Sequence, residues 1–202
     1  MFVQVIQGQV TDAGQAHAAL DRWVEELAPN APGWLGTTAG VTDDGRFIAL
    51  ARFESADAAR QNSNQPAQDA WWREFSALLS GEATFHDSDD VVADLVGEPD
   101  SAGFVQVMQG QGSDPDRARE LMSQDSGEWA EFRQDVIGSV VAQYGDGEYT
   151  MAMYFTSEAE AREGEKKEVP PELKAQMDEL DALSTGTPTF FDLNQPWLYS
   201  RR

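Results

Sequence analysis

Phe2-Val3-Gln4-Val5-Ile6-Gln7-Gly8-Gln9 recurs as Phe104-Val105-Gln106-Val107-Met108-Gln109-Gly110-Gln111, and only Ile6 and Met108 differ. The offset is 102 residues, and it continues without a gap. It pairs Asp12 with Asp114, Gly36 with Gly138, Asp44-Gly45 with Asp146-Gly147, Phe53 with Phe155, Ser55 with Ser157 and Arg60 with Arg162. After an insertion of about three residues the offset becomes 105, pairing Ala77-Leu78 with Ala182-Leu183, Thr84-Phe85 with Thr189-Phe190 and Asp87 with Asp192. Chance supplies one such block but not a register this long. The chain is therefore a duplication of one unit, which accounts for a length of 202 residues as two copies of about 100.

Each copy follows the same pattern outward from that block. The block is an extended segment with apolar residues on both faces: Val3 and Val5 point one way, Phe2 and Ile6 the other. A helix follows, capped by Thr11 or Asp12 in the first copy and by Ser113-Asp114-Pro115 in the second. Ala16, Leu20, Trp23, Val24 and Leu27 recur at helical spacing and define one buried stripe, which ends at Pro29 to Gly33. Two strands, Trp34–Val41 and Arg46–Phe53, flank Thr42-Asp43-Asp44-Gly45, whose Asp-Gly is a hairpin signal repeated at Asp146-Gly147. Ser55 and Ser157 cap second helical regions running to about Ser80 and Ser184. Last strands are expected at Ala83–His86 and Thr187–Asp192. The order β-α-β-β-α-β, twice, is the ferredoxin-like arrangement. The fold class is α+β, and the two antiparallel sheets are expected to pack face to face, because helices cover only one side of each. The expected divisions are repeat 1 at 1–88, a linker at 89–102, repeat 2 at 103–193 and a C-terminal tail at 194–202.

Charge narrows the function classes. There are 36 Asp and Glu against 14 Lys and Arg, a formal net charge of −22. Residues 1–101 carry 17 acids and 5 bases, residues 102–202 carry 19 and 9, so the charge is shared almost equally. Such a surface repels phosphate backbones and anionic lipid, so neither nucleic acid nor membrane is an expected partner. The first nine residues lack the basic n-region and apolar h-region of a leader, and no stretch approaches the roughly 18 apolar residues of a membrane span, so a cytoplasmic location is expected. No cysteine is present, which excludes disulfides, thiolate metal sites and a cysteine nucleophile. No phosphate loop, nucleophile elbow or HExxH motif occurs, and Asp87-Ser88-Asp89-Asp90 lacks the remaining positions of an EF-hand, so no metal is expected.

The repeated first-strand block, Pro32-Gly33-Trp34-Leu35-Gly36, and Phe53-Glu54-Ser55 with Ala58 resemble the dimeric α+β-barrel superfamily, within it the antibiotic-biosynthesis-monooxygenase (ABM)-like proteins. Phe155-Thr156-Ser157 with Ala159 carries the resemblance in copy two. It spans nearly the whole chain as two tandem units and implies an intramolecular pseudo-dimer, hence a monomer or a dimer that uses some other surface. The superfamily includes cofactor-independent monooxygenases, haem-degrading enzymes, isomerases and members without a known reaction, and fold alone does not choose among them. The haem-degrading branch has an aromatic and then a ligating histidine at places that fall near Asn62 and Trp71 here, and copy two has no histidine. No cofactor is therefore expected. The monooxygenase branch holds a phenolic substrate with Asn, Trp, Tyr and Arg side chains, types that Asn62, Asn64, Trp71, Trp72 and Arg73 supply.

Residues outside the resemblance add to the candidates. Gln4, Gln7, Gln106 and Gln109 are amides within apolar strands, placed to line a pocket, to pair across the intramolecular interface or to sit at an exposed strand end. His86 beside Asp87 has the composition of a general base, although its counterpart is Phe191. Trp71 and Trp72 lie about 100° apart on a helix, so one can face the core and the other a cleft, a loop or the partner repeat. Their counterparts are Gln176-Met177, which confines an aromatic pocket to copy one. Two functions fit. One is binding of a small apolar or aromatic molecule, with oxidation by dioxygen alone, using Asn62, Trp71, Trp72 and His86 as catalytic residues and Gln4, Gln7, Asn64, Arg73, Gln106 and Gln109 as binding residues. The other is a non-catalytic binding or structural module.

Overall fold

A computed structural model describes residues 1–95, 99–124 and 127–201. The chain divides into two units, Met1–Val91 with Gln195–Arg202, and Val92–Asn194.

In the first unit, β1 (Phe2–Gln9) is followed by α1 (Ala13–Glu26), a 3-10 turn at Ala28–Asn30, β2 (Trp34–Val41) and β3 (Arg46–Phe53). Then come α2 (Ala56–Ser63), α3 (Pro66–Ser76) and β4 (Thr84–Ser88). Asp12 caps α1 by accepting from the Gln15 amide at 3.0 Å, and Ser55 caps α2 by accepting from Ala58 at 3.2 Å. Pro66 opens α3 at a position where its missing N–H costs nothing. The second unit repeats the order. After β5 (Asp90–Asp94) it runs β6 (Phe104–Gly112), α4 (Pro115–Ser123), α5 (Gly127–Phe132), β7 (Val136–Gln143), β8 (Glu148–Phe155), α6 (Glu158–Gly164), α7 (Pro171–Leu183) and β9 (Ser184–Leu193). The Asp-Gly turn between β7 and β8 places Asp146 at φ 62° and Gly147 at φ 80°, the left-handed pair that a tight hairpin requires.

Each unit builds one antiparallel five-stranded sheet. The order is β10-β2-β3-β1-β4 in the first and β5-β7-β8-β6-β9 in the second, where β10 is Trp197–Ser200. Both sheets are open. Four strands of each are the expected ferredoxin-like core, and the fifth comes from outside the repeat. The expected linker 89–102 carries β5, which edges the second sheet, and the expected tail 194–202 carries β10, which edges the first. Both are short apolar runs, Val91-Val92-Ala93 and Trp197-Leu198-Tyr199, which pair readily as strands.

Register sets which side chains share a face. In the first sheet Val3 pairs with Arg52, Val5 with Leu50 and His86, and Gln7 with Ile48. On the opposite, helix-covered face Gln4 pairs with Ala51 and Asp87, and Ile6 with Ala49 and Phe85. The core under the helices gathers Ala16, Leu20, Phe47, Phe75 and Leu79 with Trp197 from the last strand. Trp197 is 7% exposed and stacks on the His17 ring at 4.5 Å. Two residues on, the Tyr199 hydroxyl donates to Asp21 on α1 at 2.6 Å, and burial together with that carboxylate raises its pKa. In the second unit Arg133 and Asp135 form a largely buried ion pair at 2.7 Å. Burial would raise the Asp135 carboxyl pKa, but the guanidinium outweighs it and holds the pKa below its ordinary value.

Two outcomes follow from this packing. Trp197→Ala removes the anchor of the edge strand from the first unit's core and is expected to lower stability by about 3–5 kcal/mol, read by urea denaturation. Asp135 is depressed in the folded state, so its contribution is present above the unfolded carboxylate pKa of about 4 and is lost as pH falls through the folded value. Asp135→Asn is expected to cost about 1–3 kcal/mol at pH 7 and to flatten the stability profile below pH 4. Denaturation curves from pH 2.5 to 7 measure both effects.

Candidate functional site

The helix-covered face of the first sheet does not fill completely. A cavity of about 60 Å³ lies between that face and α1, α2 and α3, floored by Gln4, Ile6, Ala49 and Ala51. It shares Gln4, Ile6, Ser63, Gln68, Trp71 and Trp72 with an outer recess of about 200 Å³ that Asp69 and Phe85 also line. The small side chains Ala49 and Ala51 on the central β3 leave the depth, and the aromatic residues of the helices form the walls.

The walls are held by specific contacts. The Trp23 indole N–H donates to Gln68 Oε1 at 2.6 Å, and that of Trp71 donates to the Ala19 carbonyl at 2.9 Å. Trp71 stacks on Phe75 at 5.0 Å, Trp72 stacks on the same ring at 5.8 Å, and Phe75 meets Phe47 at 5.2 Å. Trp72 also meets the exposed Phe85 edge-on at 5.2 Å, at the rim of the recess. With the indole N–H groups of Trp23 and Trp71 already paired, these rings and Phe75 present flat apolar faces to the cavity. Polar groups enter at a few points: Gln4, Thr37, Asn62, Ser63 and Gln68. Among the described residues, no Asp, Glu, Lys, Arg or His lines the inner cavity, and Asp69 is the one carboxylate at the recess.

The structure brings together Gln4, Asn62, Trp71 and Trp72 of the sequence candidates. Asn62 is buried at the end of α2, and its Oδ1 accepts from Gln65 at 3.4 Å. Both tryptophans line the cavity, Trp71 packed against the core and Trp72 against the exposed Phe85 at the rim. Gln4 also donates to Asp87 Oδ1 at 3.0 Å. The remaining candidates stand elsewhere. Gln7 and His86 lie on the face shared with Val5, across the sheet from the cavity. Asn64 is exposed, and Arg73 is exposed and paired with Asp69. Gln106 and Gln109 belong to the second unit, donating to Asp192 at 2.8 Å and to Thr150 at 2.9 Å. Sequence reasoning did not single out Gln68 or Thr37. Trp23 was read as part of the stripe only. The signal for Gln68 was its place one helical turn before Trp71 and Trp72.

In the second unit Gln176 replaces Trp71. It accepts from the Trp129 indole N–H at 2.6 Å and donates to the Leu121 carbonyl. Among the described residues, no group of three or more His, Asp or Glu side chains gathers to hold a metal ion. No helix among them is long and apolar enough to cross a membrane.

The fold so defined is a tandem of two ferredoxin-like α+β repeats. No protein-family model matches the sequence, and no curated protein matches it in sequence. Solved structures do match it in shape. A candidate monooxygenase of Lactobacillus acidophilus is 10% identical with a TM-score of 0.77, over 98% of this chain and 95% of that one. A candidate monooxygenase of Fusobacterium nucleatum is 9% identical with a TM-score of 0.75, over 99% and 94%. An anthrone oxidase-like protein is 12% identical with a TM-score of 0.61, over 98% and 93%. At these identities the likeness is one of fold, and it extends over both repeats.

Gln68→Leu leaves the Trp23 indole N–H without its partner. It is expected to destabilise the chain by about 1–3 kcal/mol and to change the tryptophan fluorescence, measured by thermal and urea unfolding against the near-isosteric Gln68→Glu.

Proposed function

We propose that the first unit binds a neutral, planar aromatic molecule between its sheet and helices, and that a bound phenol or anthrone is oxidised there by dioxygen without a cofactor. The observation that carries this reading is the cavity itself. Ring faces of Trp23, Trp71, Trp72, Phe47, Phe53 and Phe75 surround it, amides of Gln4, Asn62 and Gln68 converge on it, and no charged side chain lines it. Rings favour an aromatic guest, amides select hydroxyl and carbonyl groups on its edge, and the lack of a cation leaves nothing to compensate a bound anion. The names of the full-length structural neighbours, two candidate monooxygenases and an anthrone oxidase-like protein, support oxidation as the chemistry.

Such a reaction balances without a cofactor. An activated ring CH₂ and O₂ give a ring C=O and H₂O: both C–H bonds break, one oxygen atom enters the product, and dioxygen accepts all four electrons. The protein's part is to hold the ring against Trp72, to accept the substrate hydroxyl proton in a hydrogen bond to an Asn62 or Gln4 oxygen, and to exclude bulk water. The absence of a titratable side chain from the inner cavity favours a second reading, binding without turnover.

A screen of anthrones, naphthols and hydroquinones, read by tryptophan quenching and oxygen uptake, separates these readings. Quenching with one O₂ consumed per product supports oxidation, quenching without uptake supports binding alone, and neither response removes the proposal. Trp72→Ala is expected to weaken binding about tenfold or more, and Asn62→Ala to lower turnover more than affinity.

A further inference from the structure

Two amides meet the aromatic cavity from opposite sides, and each is held by one partner that decides which end turns inward. Gln68, on α3, takes the Trp23 indole N–H at 2.6 Å, its one hydrogen bond among the described residues. An indole nitrogen only donates, so the atom that meets it is the Gln68 oxygen, and the amide NH₂ is left over. Gln4, on β1, bonds to Asp87 at 3.0 Å and to nothing else among the described residues beyond its backbone ladder. An ionised carboxylate only accepts, so the atom that meets it is the Gln4 nitrogen, and the amide oxygen is left over. Neither leftover atom is sealed from open space, and both residues line the inner cavity and its outer recess. Asn62 has no such fixture: its neighbour Gln65 is itself an amide, and either end of it serves.

The second unit has the same indole–amide pair without a loose end. Gln176 takes the Trp129 indole N–H at 2.6 Å and gives its NH₂ to the Leu121 carbonyl. A tryptophan–glutamine contact therefore does not itself require a free NH₂. In the first unit no carbonyl among the described residues meets the Gln68 NH₂, which is left at the cavity. A donor among ring faces is satisfied only by water or by an acceptor on a guest, and a guest that displaces the water without replacing its hydrogen bond binds less well.

We propose that Gln68 and Gln4 give the cavity a fixed polarity, a donor on the helix side and an acceptor on the sheet side, with Trp23 and Asp87 as the positioning residues. The inference rests on the aromatic-cavity reading and adds a direction to it. A neutral ring enters with a carbonyl toward α3 and a hydroxyl toward β1, and a ring carrying both at opposite ends is preferred to one carrying either alone.

Three probes of similar size separate the two contacts: acetophenone has the carbonyl alone, para-ethylphenol the hydroxyl alone, and para-hydroxyacetophenone both. Affinities for the full chain are measured by NMR titration below the phenol pKa, where every probe is neutral. The bifunctional probe is expected to bind about tenfold tighter than either of the others. Gln68→Glu keeps an oxygen for the Trp23 N–H but removes the donor, and is expected to weaken acetophenone about tenfold while para-ethylphenol binds as well or better. Gln4→Leu is expected to weaken para-ethylphenol and spare acetophenone. Trp23→Phe frees the Gln68 amide to turn, so the affinity ratio of acetophenone to para-ethylphenol falls; a merely loosened fold lowers both affinities and leaves the ratio. Asp87→Asn frees the Gln4 amide and moves the ratio the other way. If Gln4→Leu does not fold, Gln68→Glu decides alone. Equal affinities for the three probes, or variants that scale all three alike, overturn the polarity and leave the aromatic cavity standing. Binding of none of them overturns the cavity reading and the polarity with it.

Discussion

The first unit depends on the two-sided first strand. β1 is paired along both edges, to β3 and to β4, so its backbone polar groups are used in the ladder and each side chain must face one side or the other. Val3 and Val5 are fully buried on one side, while Gln4 and Ile6 stand on the other beneath the helices. A slip of one residue would bring Gln4 to the place of Val3 and Val5 to the place of Gln4. The valines therefore pin the register, and the register sets Gln4 as the polar point in the cavity floor. Everything proposed about the aromatic site rests on that alternation.

Duplication shows what the fold requires and what it leaves open. The same strand order and helix caps recur with Asp12 and Asp114, Ser55 and Ser157. Under the helices the two copies are filled differently. Copy one stacks Trp71, Trp72 and Phe75, rigid plates that meet at angles and leave a void between them. Copy two places Gln176 where Trp71 would stand and ties it to Trp129 and to the Leu121 carbonyl, which joins the helices by hydrogen bonds instead of rings. Packing of this kind tolerates wholesale replacement when volume and pattern are kept. One copy is therefore free to carry a site while the other carries only the architecture.

The fold was legible because its signals are local and were written twice. Caps, the Asp-Gly hairpins and the alternation in β1 each act within a few residues, and the offset of 102 confirmed one copy by the other. The edge strands β5 and β10 were not legible: each is only four or five residues long, and whether such a run pairs depends on an open edge brought to it by tertiary structure. The site was half legible. Trp71, Trp72 and Asn62 announce themselves by type and position, but the face on which a strand residue stands relative to the helices is decided by register. Gln7 and His86 were thus grouped with residues that the sheet separates from them. Gln68 was hidden for another reason: its partner, Trp23, is 45 residues away on a different helix.

The arginines tie charge to site. Exposed pairs such as Arg60–Asp57 contribute little to stability, and they leave most of the 36 acids unmatched, so the outer surface keeps its negative potential. Within that field an uncharged cavity has a clear selectivity. An anionic aromatic molecule would meet repulsion at the surface and, among the described residues, no cation lining the inner cavity, whereas a neutral phenol would meet ring faces and amides. Under the proposed oxidation, any charge created would have to arise after the molecule is enclosed and be neutralised before product leaves. That condition favours a reaction in which dioxygen takes up electrons and protons together and departs as water over one in which a charged intermediate is held.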